Sequence, residues 1–86
     1  MRQESFLRFP CSFPLKVMGR NAEAFPTAVK AIVDKHVNAG EISYSRTLSS
    51  GDKYLSLTVT FTAQSKEQLD ALYQELNAHE LVLMTF

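Results

Sequence analysis

Few residues of this sequence combine the type and the spacing that enzyme chemistry needs. Cys11, His36 and His79 are isolated from one another, and no CxxC or HExxH pattern joins them. A metal site requires His, Cys or carboxylate ligands at constrained spacing, so we expect none. Cys11 follows Pro10 and has no identifiable base beside it, which a cysteine nucleophile would require. The sequence therefore predicts no catalytic residue, no metal and no cofactor, and we expect a protein that is not an enzyme.

One short stretch does offer ligand-binding chemistry. Gly19, Arg20 and Asn21 follow a strand pattern and precede a helix pattern, and the N-terminus of a helix can bind an anion. A glycine lets the backbone approach a ligand closely, although it also suits a tight turn. Asn21 can instead cap the helix while Arg20 is solvated. Both interpretations stay open, and Gly19, Arg20 and Asn21 are the candidate ligand-binding residues.

Composition narrows the remaining function classes. The 86 residues suffice for one domain, 1–86, and nine basic side chains balance nine acidic ones, so no net field favours nucleic acid or an anionic membrane. No apolar run approaches the roughly 18 residues that span a bilayer, and the start lacks the apolar core of a signal peptide. We expect a cytoplasmic protein in which residues 1–10 form a loosely packed N-terminal arm.

The first half of the chain predicts a strand and a helix. Residues 12–19 alternate with a period of two, which is typical of a strand with one buried face. The side chains expected to face the core are Phe13, Leu15 and Val17, and those on the opposite side are Pro14, Lys16 and Met18. An amphipathic helix then starts between residues 22 and 26 and ends near Gly40.

The second half predicts a hairpin, a helix and a last strand. The segment "SSGDK" contains residue types that favour a turn, and it lies between two segments rich in β-branched and aromatic residues. After this turn Leu55, Leu57, Val59 and Phe61 alternate with Tyr54, Ser56, Thr58, Thr60 and Thr62, which indicates one buried face and one hydroxyl-rich face. Ser65 and Gln68 form a capping box for a helix that ends at about Ala78. The apolar segment "ELVLMTF" predicts the last strand.

This order of elements predicts an α+β fold. Strand, helix, strand, strand, helix, strand is the order of the ferredoxin-like double split βαβ arrangement, βαββαβ. We therefore expect a four-stranded antiparallel sheet in the order 4-1-3-2, with both helices on one face. An RNA-binding sheet would carry stacking aromatics on its open face, where the predicted third strand offers only Tyr54, so we expect no nucleic-acid partner.

The sequence also resembles a known family. "FPLKVMG", the amphipathic helix with an early proline, "SSGDKYLSLTV" and "LYQELNAHELVLM" are together similar to the YbeD family of small bacterial proteins of unknown function. The resemblance covers the chain from about Phe9 to Met84. It implies a ferredoxin-like fold similar to ACT-type regulatory domains, and genes of that family often lie beside those for lipoate attachment. A shared fold is not by itself an argument for function.

Two functional hypotheses follow. The first is a regulatory or protein-interaction module, a homodimer or part of a complex, whose open sheet face carries the interaction surface. The residues proposed for that surface are Lys16, Met18, Val82, Met84 and Phe86. Because the last strand is apolar on both faces, its residues could instead face the core. The second hypothesis is an ACT-like small-molecule sensor, with its ligand at Gly19 to Asn21 and at a subunit interface.

Overall fold

The computed structural model describes residues 8–37 and 42–86. Within them the chain forms the expected succession of strands and helices, and a one-turn 3-10 helix lies in the turn between the second and third strands. The elements are β1 (Cys11–Arg20), α1 (Ala24–His36), β2 (Ser43–Leu48), β3 (Tyr54–Ala63), α2 (Lys66–Ala78) and β4 (Val82–Thr85). Helix α1 ends at His36 because Val37 is extended. The predicted end at Gly40 lies outside the described residues.

The four strands form one antiparallel sheet in the order β2-β3-β1-β4. This is the predicted order 4-1-3-2 counted from the other edge, so the fold prediction is confirmed. β1 and β3 are the central strands and pair along their full lengths, from Cys11 opposite Ala63 to Arg20 opposite Tyr54. β4 lies at one edge of the sheet and β2 at the other.

Both helices cover the same face of the sheet. Directly opposed residues share a face, and the opposed pairs Leu15–Val59 and Val17–Leu57 are buried together with side chains of α1 and α2. The fully buried helix residues are Phe25, Val29 and Val33 in α1 and Leu72 and Leu76 in α2. The two faces of β3 are those that the sequence predicts. Its four apolar core-facing residues are buried, and its hydroxyl-bearing residues lie on the other face.

A hydrogen bond connects the first turn of α2 to the end of α1. Ser65 Oγ accepts the backbone N–H of Gln68 at 3.1 Å, as the capping box predicts. The Gln68 side chain does not return this bond to Ser65, because its Oε1 accepts from the backbone of Gln64 and its Nε2 donates to the His36 carbonyl at 2.7 Å. The cap therefore also joins the two helices.

A second contact between the helices is ionic. Glu75 of α2 accepts a hydrogen bond from Lys35 and lies 2.7 Å from His36 Nε2, and both partners belong to the last turn of α1. The hydrogen bonds from Lys35 and His36 hold the pKa of Glu75 below its ordinary value.

Part of the predicted N-terminal arm packs against the core. Residues 1–7 lie outside the described part of the chain, but Phe9 is half-buried and packs against the core cluster. The three described residues of the arm are thus held by at least one apolar contact.

Candidate functional site

Gly19 is enclosed by the core. It is buried at the end of β1, where a Cβ atom would lie 2.5 Å from the Phe25 ring and 2.6 Å from the Leu81 carbonyl oxygen. Real Cβ atoms do not approach other atoms so closely, so a glycine is required for β1 to pass beside α1 and the entry to β4. The space that a ligand would need beside Gly19 is occupied by Phe25.

Asn21 does not cap α1. The helix begins after Glu23, which makes no capping hydrogen bond with its side chain. The Asn21 side chain donates to the Asp52 carbonyl at 3.0 Å, and its backbone N–H donates to the Lys53 carbonyl at 3.0 Å. The capping interpretation is therefore wrong, because these two bonds tie the end of β1 to the β2–β3 turn.

Of the three residues in the candidate turn, Arg20 is the one whose side chain remains available for a ligand. Its side chain is exposed and forms no ion pair among residues 8–37 and 42–86. The structure thus places Gly19, Arg20 and Asn21 next to one another but gives two of them contacts within the fold. Ligand binding at this turn stays a prediction that rests on Arg20.

The open face of the sheet is hydroxyl-rich in the middle and apolar toward β4. Met18 lies directly opposite Met84, and Phe86 exchanges two backbone hydrogen bonds with Lys16, at 3.1 and 2.9 Å. These four side chains therefore share the face that the helices leave uncovered. Met84 and Phe86 are 50% and 53% exposed, large fractions for apolar side chains. We call Lys16, Met18, Met84 and Phe86 the Met/Phe surface.

Val82 does not belong to this surface. Its prediction as an interaction residue is wrong, because Val82 is 9% exposed, lies opposite Gly19 and packs in the core. The cause is a bulge between Val82 and Met84, where β4 has one residue more than β1, so strict alternation fails. The extra residue, Leu83, is 51% exposed and was missed, because regular alternation would have turned it toward the helices.

The charge on the open face has one sign. Arg20 lies on this face because it is directly opposite Tyr54, a residue of the uncovered face of β3. Among the described strand residues of the open face, the charged ones are Lys16 and Arg20. The remaining positions carry mainly Ser, Thr and apolar side chains. No group of three or more His, Cys, Asp or Glu residues that could hold a metal occurs in the described part of the chain. No helix there is long and apolar enough to cross a membrane.

The order of the strands and helices and the order of the strands in the sheet define a ferredoxin-like fold. The structure matches the solution structure of protein HP0495 from H. pylori with a TM-score of 0.75 at 14% identity, covering 93% of this chain and 85% of that one. It matches the crystal structure of the ACT domain from GTP pyrophosphokinase of Chlorobium tepidum with a TM-score of 0.67 at 10% identity, covering 90% and 96%. At these identities the similarity shows the fold alone.

Sequence comparison shows the family. A family model described as protein of unknown function (DUF493) matches residues 4–86. A UPF0250 protein from Chromobacterium violaceum is 43% identical over 84 residues, which cover 96% of this chain and 93% of that protein. UPF0250 protein NE1487 from Nitrosomonas europaea is 39% identical over 85 residues, or 98% of each chain. The chain belongs to the DUF493 family, and the resemblance to YbeD-type proteins is confirmed.

Proposed function

We propose that this protein is a cytoplasmic interaction module without catalytic activity of its own, and that it works as a homodimer joined through β4. The observation that carries the proposal is the Met/Phe surface, where Met84 and Phe86 are half exposed at the edge of the sheet. A contiguous apolar group of this kind on a small domain marks an interaction site.

The edge of β4 supplies the second element of the proposed contact. The backbone N–H and C=O groups of Phe86 both bond to Lys16 of β1. In an antiparallel sheet successive residues alternate in direction, so the N–H and C=O groups of Thr85 point away from β1, toward the free edge of β4. Two β4 strands related by a twofold axis can pair through these groups and extend the sheet from four strands to eight. Met84 and Phe86 of both copies would then lie side by side across the axis.

The positive charge of the open face is compatible with such a dimer. Lys16 lies on β1, one strand inside the edge, so three strand spacings would separate it from Lys16 of a second copy. Three spacings amount to about 14 Å, which exceeds the Debye length of about 8 Å at physiological ionic strength. Repulsion between the two lysines is therefore largely screened, whereas the apolar side chains meet directly.

Sedimentation velocity over a range of concentrations tests this proposal. The wild-type protein is expected to show a monomer–dimer equilibrium with a dissociation constant on the order of 100 μM, the affinity of a small contact. Met84→Glu should weaken it by roughly tenfold or more, because about 1.5–3 kcal/mol of apolar burial is lost. Thr62→Glu is the matched control, since it adds the same charge to an exposed position of β3 away from β4.

A small-molecule sensor is the alternative function. It would use Arg20 at the end of β1 and would fit the ACT-like fold, and a link to lipoate metabolism is what the family resemblance implies. Arg20→Gln should then abolish any metabolite-induced thermal shift without changing the dimer. A hetero-partner would be revealed by wild-type protein that stays monomeric by itself but binds a second protein in a manner sensitive to Met84→Glu.

A further inference from the structure

A cleft opens between α1 and the edge strand β2, on the side of the sheet that carries the helices. Its volume is about 180 Å³. The residues lining it are Pro26 and Lys30 of α1, Tyr44, Ser45 and Arg46 of β2, and Leu57 of β3. Pro26, Leu57 and the Tyr44 ring supply apolar surface, while Lys30 and Arg46 supply two cationic groups. The Gly19 to Asn21 turn is not part of this lining.

Neither cation of the cleft forms an ion pair with an acidic residue among those that the structure describes. Ion pairs in the described part of the chain involve Lys35, His36 and Lys66, and neither Lys30 nor Arg46 is among them. Lys30 Nζ instead lies 5.2 Å from the centre of the Tyr44 ring, in the range of a cation–π contact. The ring therefore holds one ammonium group beside the cleft, close to the strand that carries Arg46.

Tyr44 adds an unsatisfied polar group. Its Oη is buried and has no hydrogen-bond partner among the described residues. A buried hydroxyl without a partner is unfavourable, and native proteins rarely leave one unless a water or ligand satisfies it. Tyr44 thus brings an apolar ring and a neighbouring cation to the cleft, and its buried hydroxyl group has no partner among the described residues.

We propose that this cleft binds a small organic oxyanion with a compact apolar body. Arg46 and Lys30 would bind the carboxylate or phosphate group, since a guanidinium matches such groups with two parallel hydrogen bonds. Pro26, Leu57 and the Tyr44 ring would contact the apolar body. An apolar cavity of about 150 Å³ accommodates benzene, so a cleft of this volume fits a ligand the size of benzoate. The proposal does not rest on dimer formation.

Asp34 is an acidic residue whose charge acts on Tyr44 of the cleft. It lies one helical turn after Lys30 on α1, and burial followed by the charge of Asp34 raises the pKa of Tyr44. Because the Asp34 carboxylate repels a bound anion, Asp34→Asn should strengthen binding a fewfold, and a weakening would count against an anionic ligand.

Amide chemical shifts of the 9.7 kDa chain provide the test. The probes are benzoate and phenyl phosphate, with benzyl alcohol as the uncharged match and inorganic phosphate as the anion without an apolar body. Ionic strength is held constant with sodium chloride. Both organic anions, or one of them, should give saturable shifts centred on Lys30, Tyr44 and Arg46, with a dissociation constant on the order of 1 mM. Benzyl alcohol and inorganic phosphate should bind at least tenfold more weakly.

Three variants locate the binding. Lys30→Gln and Arg46→Gln should each weaken benzoate binding at least fivefold, whereas Arg20→Gln, the same change in the candidate turn, should leave it unchanged. Equal shifts with sodium chloride alone, saturable shifts that persist in both cleft variants, or shifts lost only in Arg20→Gln would overturn the proposal. Repeating the titration with Met84→Glu separates the two proposals, because this variant weakens the dimer contact and leaves the cleft intact.

Discussion

Replacing Gly19 with alanine tests why β1 ends in glycine. The added Cβ atom would lie 2.5 Å from the ring of Phe25 and 2.6 Å from the Leu81 carbonyl oxygen. Phe25 is 1% exposed, so its ring cannot move away without displacing the core, and Leu81 contributes backbone that cannot rotate aside. The substitution therefore overpacks a site where three segments of the chain meet.

The expected loss of stability follows from two opposing terms. Overpacking of a dense core costs about 1–3 kcal/mol, whereas alanine restricts the unfolded chain and contributes roughly 0.4–1 kcal/mol in the other direction. With values from the middle of each range, about 2 and about 0.7 kcal/mol, Gly19→Ala should lower the free energy of unfolding by about 1–2 kcal/mol. In a domain of this size such a loss corresponds to a decrease in Tm of roughly 4–15 °C.

Urea denaturation followed by circular dichroism measures the effect, and a double-mutant cycle assigns its cause. In a Phe25→Leu background Gly19→Ala should cost less by roughly 0.5 kcal/mol or more, because the ring is gone while the Leu81 carbonyl remains. Gly51→Ala is the control, since Gly51 has φ +81° and no atom within 4 Å of its ideal Cβ position. Gly51→Ala should lower the free energy of unfolding by the same amount whether residue 25 is phenylalanine or leucine. A Gly19→Ala protein as stable as wild type would refute the reasoning.

Two further predictions concern the junction of the helices. The pKa of Glu75 is lowered by its basic partners on α1, so their stabilising effect is complete above the ordinary glutamate range, about pH 4.3, and is lost as the pH falls through the lowered value. Glu75→Gln should be less stable than wild type at neutral pH and should show a flatter stability profile in acid, and parallel profiles would contradict this. Ser65→Ala removes the acceptor of the Gln68 N–H and should cost about 1 kcal/mol in urea denaturation. Ser43→Ala, at an exposed position of β2, should cost much less, and equal losses would argue against the cap.

The sequence predicted those parts of the fold in which one face is clearly apolar. β3 alternates between apolar and hydroxyl-bearing residues over ten positions, so its buried face was unambiguous. β4 is apolar at successive positions, and its faces depend on a bulge against β1 that no local pattern specifies. Val82 was therefore assigned to the wrong face, and Leu83 was missed.

The candidate sites were harder to predict because they depend on contacts between distant segments. Asn21 is a residue type that often caps helices, but its side-chain amide donates a hydrogen bond to a backbone carbonyl 31 residues away. The cleft joins Lys30 of α1 to Arg46 of β2, so spacing along the chain does not reveal it. One signal was present: Arg46 occupies an alternating position of β2, directly opposite the buried Leu57, where an apolar residue is expected.

The most direct test of the central claim is the weight-average mass of the wild-type protein between about 10 μM and 1 mM, compared with Met84→Glu. If the Met/Phe surface joins two copies, the mass should rise from 9.7 kDa toward twice that value in the wild type and in Thr62→Glu, whereas Met84→Glu should need protein concentrations about tenfold higher or more for the same rise. A wild-type mass that stays at 9.7 kDa throughout, or an increase that Met84→Glu leaves unchanged, would contradict the claim that this surface forms a homodimer.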